Sequence, residues 1–366
     1  MKKILFTSLA ACFLVVGCQS VNDNTIDIAC NLPMTGYVGY YGQWIQNGMM
    51  AAYNDLEEDM KKSGISFHFD YQDNKGETKE AVTIFQKQMM SSPDIYMSGI
   101  TSQTMSILDQ VEKKNVMHVL WSWTPLQLSE GKKEFRCWVN YGQEGVHLAD
   151  YVSDKAPQKV AYIYLNILGA KVQCQEVVLP ALKAVVPDAQ LYVEEYPIET
   201  TDFKNIMMKI KAFDPDVIVV SGFKDHLLNI IKDIDAYGIS RDKVICSMDL
   251  LDAINEVPLE RFEGLHVTAP EFNISSMHTE YTDKWIADFI EEKGRQPLYT
   301  EAYGYDFMMT LYEAAKIASK GELSLEQAML EVDLQGVTGH LKYQKNGEME
   351  NNLHVGIFRD GQLVVE

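Results

Sequence analysis

The sequence predicts an α/β protein of two lobes, each built around a parallel sheet with helices on its faces. The 366 residues are enough for two domains with sizeable cores. Short runs typical of strands alternate with segments typical of amphipathic helices, which is the pattern of β-α-β units. The alternation occurs once before Tyr141 and again after it, so we expect two similar lobes.

The predicted strands follow the chain in two series. The first series lies at 26–30, 66–71, 95–98 and 116–120, and the second at 160–165, 190–196, 217–220 and 244–247. After Val267 the pattern changes to two long helices, at roughly 276–292 and 300–319, followed by short strands. No strand is predicted between these two helices, so we expect them to cover the first lobe.

The first helix has the clearest pattern. Its apolar and aromatic residues recur at spacings of three and four, which predicts one buried face over about five turns. These residues are Tyr41, Trp44, Ile45, Met49, Ala52, Tyr53, Leu56 and Met60. A second helix is predicted over 78–90 by the same spacing.

The composition excludes several classes of protein. Hydrophobic residues make up 46% of the chain, and 23 Gly with 11 Pro is close to average usage, which excludes collagen-like and low-complexity architectures. The net charge of -20 repels a phosphate backbone, which proteins bind mainly through Lys and Arg. We therefore expect no nucleic-acid partner. No repeat of 20–50 residues is present, which excludes solenoids and propellers.

The N-terminus has the features of a secretory signal. Lys2 and Lys3 precede an apolar run over 4–16 that is too short to span a bilayer. Residues 14–18, LVVGC, resemble the bacterial lipobox, in which the Cys is diacylated and becomes the mature N-terminus. The alternative is a plain signal peptide with a chance Cys.

We accordingly predict a lipoprotein signal peptide at 1–17, a lipidated Cys18 and a polar tether over 18–25. Acyl chains would hold the protein on a membrane. The expected location is the cell envelope, on the periplasmic or extracellular face.

Four further cysteines leave two interpretations open. An oxidising compartment permits disulfides, but these residues are widely spread and form no CxxC pair. They can equally act as small buried hydrophobes. The four are Cys30, Cys137, Cys174 and Cys246.

Enzyme signatures are absent from the sequence. There is no HExxH or comparable metal spacing, and no GxSxG, GxxxxGK[ST] or GxGxxG occurs where a strand meets a helix. Paired methionines, such as Met49 and Met50, fall at helical positions where Met fills a core more often than it binds copper. We therefore predict no catalytic residue, no metal site and no cofactor.

A Gly-rich segment after the first strand leads to a specific resemblance. Residues 32–43, LPMTGYVGYYGQ, feed a helix at the carboxyl end of a parallel strand, where open α/β folds bind ligands. The segment resembles the opening of the type I periplasmic substrate-binding proteins of the branched-chain amino-acid family. Four further motifs agree in order: SGITS at 98–102, FDPDVIVVSG at 213–222, EGL at 263–265 and AYGYD at 302–306.

The resemblance implies a fold and a division of the chain. Members of this family consist of two Rossmann-like lobes with parallel sheets, joined by a three-segment hinge. Lobe 1 would comprise 26–140 and 270–330, and lobe 2 would comprise 141–269 and 331–366. Members bind a small-molecule ligand between the lobes without chemistry and deliver it to an ABC permease. We expect a monomer.

The resemblance also implies ligand contacts on lobe 1. Thr101 and Ser102 match a Ser/Thr pair that holds a ligand carboxylate at a helix N-terminus, where N–H groups and the helix dipole favour an anion. An ordinary helix cap is the alternative. Ser122, Trp123 and Thr124 match the next loop, which holds an amino group. Trp123 would wall the pocket or cap the core.

Three further residues are matched to the pocket. Tyr41 matches a pocket aromatic but also falls on the buried stripe of its helix. Asp249 matches an acid that pairs with a ligand ammonium, with a helix N-cap as the alternative. Phe223 lies where the family often has Tyr, and Leu168-Gly169 where it has Tyr-Gly. These departures favour a larger or more apolar ligand.

The sequence therefore predicts a lipid-anchored solute-binding protein of an ABC importer, whose ligand is a small amino acid or a related amine or carboxylate compound. The alternative keeps the fold but has the protein report its ligand to a membrane receptor. An envelope hydrolase conflicts with the missing nucleophile and metal patterns.

Overall fold

The computed structural model describes residues 24–123, 127–350 and 353–366. The predicted signal peptide, Cys18 and Thr124 lie outside these ranges. Within them, no helix combines the length and apolar character needed to cross a membrane.

The first sheet has five parallel strands in the order β2-β1-β3-β4-β5. They are β1 (Asn24–Leu32), β2 (Ile65–Asp73), β3 (Ile95–Gly99), β4 (Met117–Trp121) and β5 (Glu134–Arg136). In β1, Ile28 lies between Phe69 of β2 and Ile95 of β3. Every residue of β3 and β4 is buried, as expected of a parallel sheet with helices on both faces.

Four helices connect these strands: α1 (Gly39–Asp55), α2 (Glu57–Ser63), α3 (Thr78–Gln88) and α4 (Thr101–Lys114). The predicted first helix is divided in two at Leu56. Its apolar stripe continues across the division, because Leu56 and Met60 are both buried. The apolar stripe therefore correctly predicts that Leu56 and Met60 are buried, but it does not predict where the first helix ends.

The remaining elements follow in chain order. The strands are β6 (Lys159–Leu165), β7 (Gln190–Tyr196), β8 (Val217–Ser221), β9 (Val244–Cys246), β10 (His266–Pro270), β11 (Asp333–Gly336), β12 (Gly339–Lys342), β13 (Leu353–Arg359) and β14 (Gln362–Val365). The helices are α5 (Tyr141–Asp154), α6 (Leu168–Val172), α7 (Leu179–Val185), α8 (Lys204–Phe213), α9 (Lys224–Ala236), α10 (Glu280–Lys293), α11 (Tyr299–Ala318) and α12 (Leu325–Glu331).

The second sheet has seven strands in the order β14-β13-β10-β9-β8-β6-β7. Strands β6 to β10 are parallel, whereas β13 and β14 are antiparallel to their neighbours. The observed architecture confirms the predicted α/β class with two parallel sheets. The antiparallel edge is formed by the short C-terminal strands.

The chain passes between the two sheets three times: from β5 to α5, from β10 to α10, and from β12 to β13. The Arg136 side chain at the first crossing is fully buried. Its Nε lies 2.9 Å from a carboxylate oxygen of Glu348, near the third crossing, and its Nη1 donates to the Ser122 carbonyl at 3.0 Å. The Arg136 side chain therefore connects the first crossing to the third crossing and to the end of β4.

Helices α10 and α11 lie between the second and third crossings, and α11 packs along α1. Close approach of α1 and α11 requires small residues. A methyl group on Gly48 would overlap the Glu301 carbonyl oxygen, and one on Gly304 would press against the Ile45 carbonyl oxygen. Of the two long helices predicted here, α11 therefore packs closely on α1.

The β11–β12 hairpin packs against the same helix. The Asp306 carboxylate of α11 accepts hydrogen bonds from the backbone N–H groups of Val337 and Thr338, at 2.9 and 2.7 Å. The hairpin falls in the segment 331–366 assigned to lobe 2, and its anchor is on the lobe 1 side. Strands β13 and β14 of that segment lie in the second sheet. The domain division as a whole stays a prediction.

The four cysteines within the described ranges are free and buried: Cys30, Cys137, Cys174 and Cys246. The structure thus favours small buried hydrophobes over disulfides. Burial raises the pKa of the Cys246 thiol to about 12, which makes this thiol a poor nucleophile at neutral pH.

The α1–α11 contact gives a stability prediction. Gly→Ala in a helix interior normally stabilises a protein by about 1 kcal/mol. At Gly48 the added methyl meets the backbone of α11, so we expect Gly48→Ala to lower the free energy of unfolding by about 1–3 kcal/mol, the usual cost of overpacking. Chemical denaturation measures the change. Gln46→Ala on the same helix is the control, and equal stability of the two variants would contradict the prediction.

Candidate ligand-binding site

A cavity of about 180 Å³ lies where the carboxyl ends of the two sheets face each other. Residues after β1, β3 and β4 line it from the first lobe, and residues after β6, β8 and β9 line it from the second. Strand ends at the edge of a parallel sheet are where open α/β folds bind ligands. The cavity therefore forms where the segments that follow these parallel strands meet.

The structure brings seven of the eight predicted site residues to this cavity. They are Tyr41, Thr101, Ser102, Ser122, Trp123, Phe223 and Asp249. Thr124 lies outside the described residues, and Leu168 is not part of the lining. The roles of these side chains in binding remain predictions.

Helix α4 directs its N-terminus at the cavity. Its N-cap is Ile100, which has a φ of 63° and no side-chain cap hydrogen bond. A positive φ is strained for a β-branched residue, and such strain is concentrated at functional sites. Thr101 and Ser102 are therefore the first helical residues, not the cap that was the alternative interpretation. Their N–H groups belong to the first turn, where the helix provides no backbone acceptor.

Gly169 of the second lobe lies against Thr101. A Cβ atom at Gly169 would approach the Thr101 Oγ1 to 3.3 Å. The small residue thus permits close contact between α6 and the start of α4. The neighbouring Leu168 is 42% exposed and does not line the cavity.

Aromatic rings form much of the wall. The Trp138 ring centroid is 6.1 Å from that of Trp121 and also 6.1 Å from that of Tyr41, whose ring is in turn 6.1 Å from Phe223. Trp138 follows β5 at the first crossing. The sequence reasoning missed it because no motif surrounds it.

Some polar atoms of the lining are buried without a partner in the described part of the chain. They include the indole nitrogens of Trp121 and Trp123 and the Ser122 hydroxyl oxygen. A buried polar group without a partner costs free energy. Trp123 is part of the cavity lining, and its role in binding stays a prediction.

Asp249 brings a carboxyl group to the second-lobe side of the cavity. Its Oδ2 accepts a hydrogen bond from the Ser247 hydroxyl at 3.0 Å, and its Oδ1 lies 2.9 Å from the Tyr41 hydroxyl oxygen. The short 3-10 helix that contains Asp249 begins after Ser247. Asp249 is therefore not the N-cap of that helix, which was its alternative role.

Burial controls the titration of this carboxyl group. Burial first, and then the nearby Glu144 carboxylate, raise the pKa of Asp249 to about 7. Burial also raises the pKa of Glu144, which accepts hydrogen bonds from the Met248 backbone N–H and the Gln173 amide. A negative charge on Asp249 is thus poorly compensated by the protein itself.

The two lobes touch across the mouth of the cavity. The Tyr37 hydroxyl lies 3.3 Å from the Nε2 of His226, and the Lys224 ammonium lies 4.8 Å from the centre of the Tyr40 ring. Residues at and just before the start of α1 therefore contact residues at the start of α9. These contacts and the Tyr41–Asp249 contact enclose the cavity.

The described ranges contain no group of three or more His, Cys, Asp or Glu side chains that could hold a metal ion. Two α/β lobes, three crossings and an enclosed polar and aromatic cleft define a class of protein that binds a solute between its lobes.

The chain belongs to the periplasmic binding protein family, whose model matches residues 25–362. The members of this family are substrate-binding proteins, not enzymes, and the family implies an extracytoplasmic location. No curated protein matches the sequence significantly.

Solved structures share the fold. The LivJ branched-chain amino-acid binding protein of Streptococcus pneumoniae, in complex with isoleucine, has a TM-score of 0.77 and 19% identity over 93% of this chain and 99% of its own. A Rhodopseudomonas palustris solute-binding protein in complex with 3,4-dihydroxybenzoic acid has a TM-score of 0.77 and 16% identity, over 94% of this chain and 96% of its own.

A third match is an R. palustris ABC transporter solute-binding protein in complex with benzoate. It has a TM-score of 0.78 and 15% identity, over 93% of this chain and 95% of its own. The bound ligands of these structures differ in charge, since benzoate lacks the ammonium group of isoleucine.

The raised pKa of Asp249 predicts how stability depends on pH. Between pH 4 and pH 7 the folded state holds a proton on Asp249 that the unfolded state has lost, so the free energy of unfolding falls as the pH rises through this range. Asp249→Asn removes this contribution. We expect the fall in the variant to be smaller by at least about 1 kcal/mol.

Denaturation of the ligand-free protein at several pH values measures this difference. Asp109→Asn, at an exposed position of α4, is the control. Identical pH profiles for the wild type and Asp249→Asn would show that Asp249 titrates in its ordinary range.

Proposed function

We propose that this protein is the solute-binding component of an ABC importer and that its cleft takes a small solute with both a carboxylate and an amine, an amino acid with an apolar side chain. One observation carries the proposal. The cavity has the N-terminus of α4 on its first-lobe side and the Asp249 carboxyl group on its second-lobe side.

The two poles suit opposite charges. Free N–H groups and the helix dipole at Thr101 and Ser102 favour a carboxylate. Asp249 is a buried acid that pairs with no cation among the described residues, and such a group is costly unless a positive charge meets it. A zwitterion satisfies both poles at once.

The wall between the poles supports an apolar side chain. Trp121, Trp123, Trp138 and Phe223 provide aromatic surface, and Phe223 lacks the hydroxyl of the Tyr that amino-acid binders often have there. Ligand sites generally combine a largely apolar lining with a few placed polar groups. An aromatic acid such as benzoate would fit this lining but would leave Asp249 without a partner.

A ligand screen tests the proposal. The chain from Gln19 onward is titrated with isoleucine, leucine, phenylalanine, tryptophan, benzoate and 3,4-dihydroxybenzoate. A ligand at 100 times its Kd stabilises the folded state by about 2.7 kcal/mol, so we expect an amino acid to raise the Tm. We also expect it to change the Trp fluorescence, because three tryptophans line the cavity.

Two variants test whether the Asp249 carboxyl group is responsible for amino-acid binding. Asp249→Asn should weaken binding of the active amino acid at least tenfold, or about 1.4 kcal/mol. Asp225→Asn removes an exposed charge from the first turn of α9 and should leave affinity unchanged. A response to the two aromatic acids alone, or an unchanged affinity of Asp249→Asn, would contradict the assignment of an amine ligand.

We also propose that Cys18 carries a lipid anchor, on the support of the LVVGC motif and the family's extracytoplasmic location. Cys18→Ser removes the thiol that acylation requires. In a Gram-negative host we expect the full-length protein to move from the membrane fraction to the soluble fraction, with Ser20→Ala as the control. A wild-type protein that is already in the soluble fraction would argue for a plain signal peptide.

A further inference from the structure

A second buried acid lies behind Asp249. The Tyr41 hydroxyl oxygen is 2.9 Å from the Oδ1 of Asp249 and 2.8 Å from the Oδ2 of Asp252. A phenol has one hydrogen and can donate to only one of these carboxyl oxygens. The other contact is a hydrogen bond only when that carboxyl group is protonated and donates to the phenol oxygen.

The surroundings decide which acid bears the proton. Asp249 accepts from the Ser247 hydroxyl and lines the cavity, where a ligand's positive charge can meet it. Asp252 is 1% exposed and is not part of the lining. Burial, and then the charge of Asp249, raise the pKa of Asp252 well above its usual range. The proton therefore belongs to Asp252.

The neighbouring elements supply groups that act on this pair. They are Tyr40 and Tyr41 of α1, Glu144 of α5, Tyr196 of β7, Lys224 of α9 and Tyr299 of α11. Lys224 is the cation among them, and its ammonium group is already paired with Glu256. Its influence on Asp252 is the smallest of the causes that act on that group's pKa. The Asp249–Asp252 pair thus keeps its proton.

We propose that Asp252 is a positioning residue that stays protonated, donates to Tyr41 and thereby turns the Tyr41 hydroxyl toward Asp249, so that the cleft offers one negative charge to one ligand ammonium group. This inference rests on the proposed function, which places the amine at Asp249. The hydrogen-bond chain runs from the Asp252 carboxyl group to the Tyr41 oxygen, and from the Tyr41 hydroxyl to the Asp249 Oδ1.

The chain has a consequence for ligand charge. Two ionised acids around one phenol would require two positive charges, from a dication or a pair of cations. With Asp252 neutral, a single ammonium group balances Asp249. Asp252 thus determines that the site takes monoamines, although it does not line the cavity.

Infrared spectroscopy of the ligand-free protein tests the protonation. At about pH 8.5, above the pKa of Asp249, we expect the wild type to show a carboxylic acid C=O band that Asp252→Asn lacks. Asp225→Asn, at an exposed position, should keep the band. A wild type without the band, or a band that persists in Asp252→Asn, would overturn the proposal.

Binding of L-isoleucine tests the positioning role. The side-chain amide that Asp252→Asn introduces keeps an N–H donor for Tyr41, so we expect this variant to bind within about threefold of the wild type. Asp252→Leu has similar size but no donor, and we expect at least tenfold weaker binding, or about 1.4 kcal/mol. Equal loss in both variants would overturn the positioning role.

The two proposals fail in different ways. Failure of the wild type to bind any amino acid contradicts the proposed function but leaves the infrared result intact, since that result needs no ligand. If Asp252→Leu does not fold, the comparison of Asp252→Asn with the wild type still decides the protonation.

Discussion

The organisation of the cleft depends on one constraint, which is that a carboxylate held in an apolar, aromatic environment must be neutralised by a proton or by a cation. This constraint applies to Asp249 because the ends of the two sheets enclose it and the nearby Glu144 carboxylate repels its negative charge. Tyr41 reaches across from the first lobe to satisfy one of its oxygens. The Tyr41–Asp249 contact therefore both joins the two lobes and holds one oxygen of the buried acid.

Closure depends in turn on how the first lobe is held together. Tyr37 precedes helix α1, and Tyr40 and Tyr41 lie in its first turn; all three residues reach the second lobe. The position of α1 is fixed by α11, which contacts it closely at Gly48 and returns to the first lobe only after the second crossing. Packing far from the cavity thus determines where the Tyr41 hydroxyl lies. The buried Arg136–Glu348 ion pair likewise holds the first and third crossings in place.

Local patterns in the sequence were enough to predict the α/β class and most strands, because apolar runs and helical spacing report on burial directly. The resemblance to a known family supplied the candidate site residues, such as Thr101 and Asp249, and both follow strand ends, which parallel strands bring to one edge. Neither the patterns nor the resemblance predicted Trp138 or Asp252, whose importance depends on contacts between distant segments. The division of the first helix at Leu56 was missed for another reason, since its apolar stripe continues across the break.

If the cleft binds its ligand as proposed, the same contacts decide which ligand charge it accepts. In that case the N-terminus of α4 would offer N–H groups to any carboxylate, and this pole would suit amino acids and aromatic acids equally. Discrimination must come from the opposite pole, where an unpaired Asp249 would be left by a ligand without an amine. A protonated Asp249 would remove that penalty, and its pKa of about 7 places this change near neutral pH. On the proposed function, burial of Asp249 would therefore set both the ligand charge that the cleft prefers and the pH range over which that preference holds.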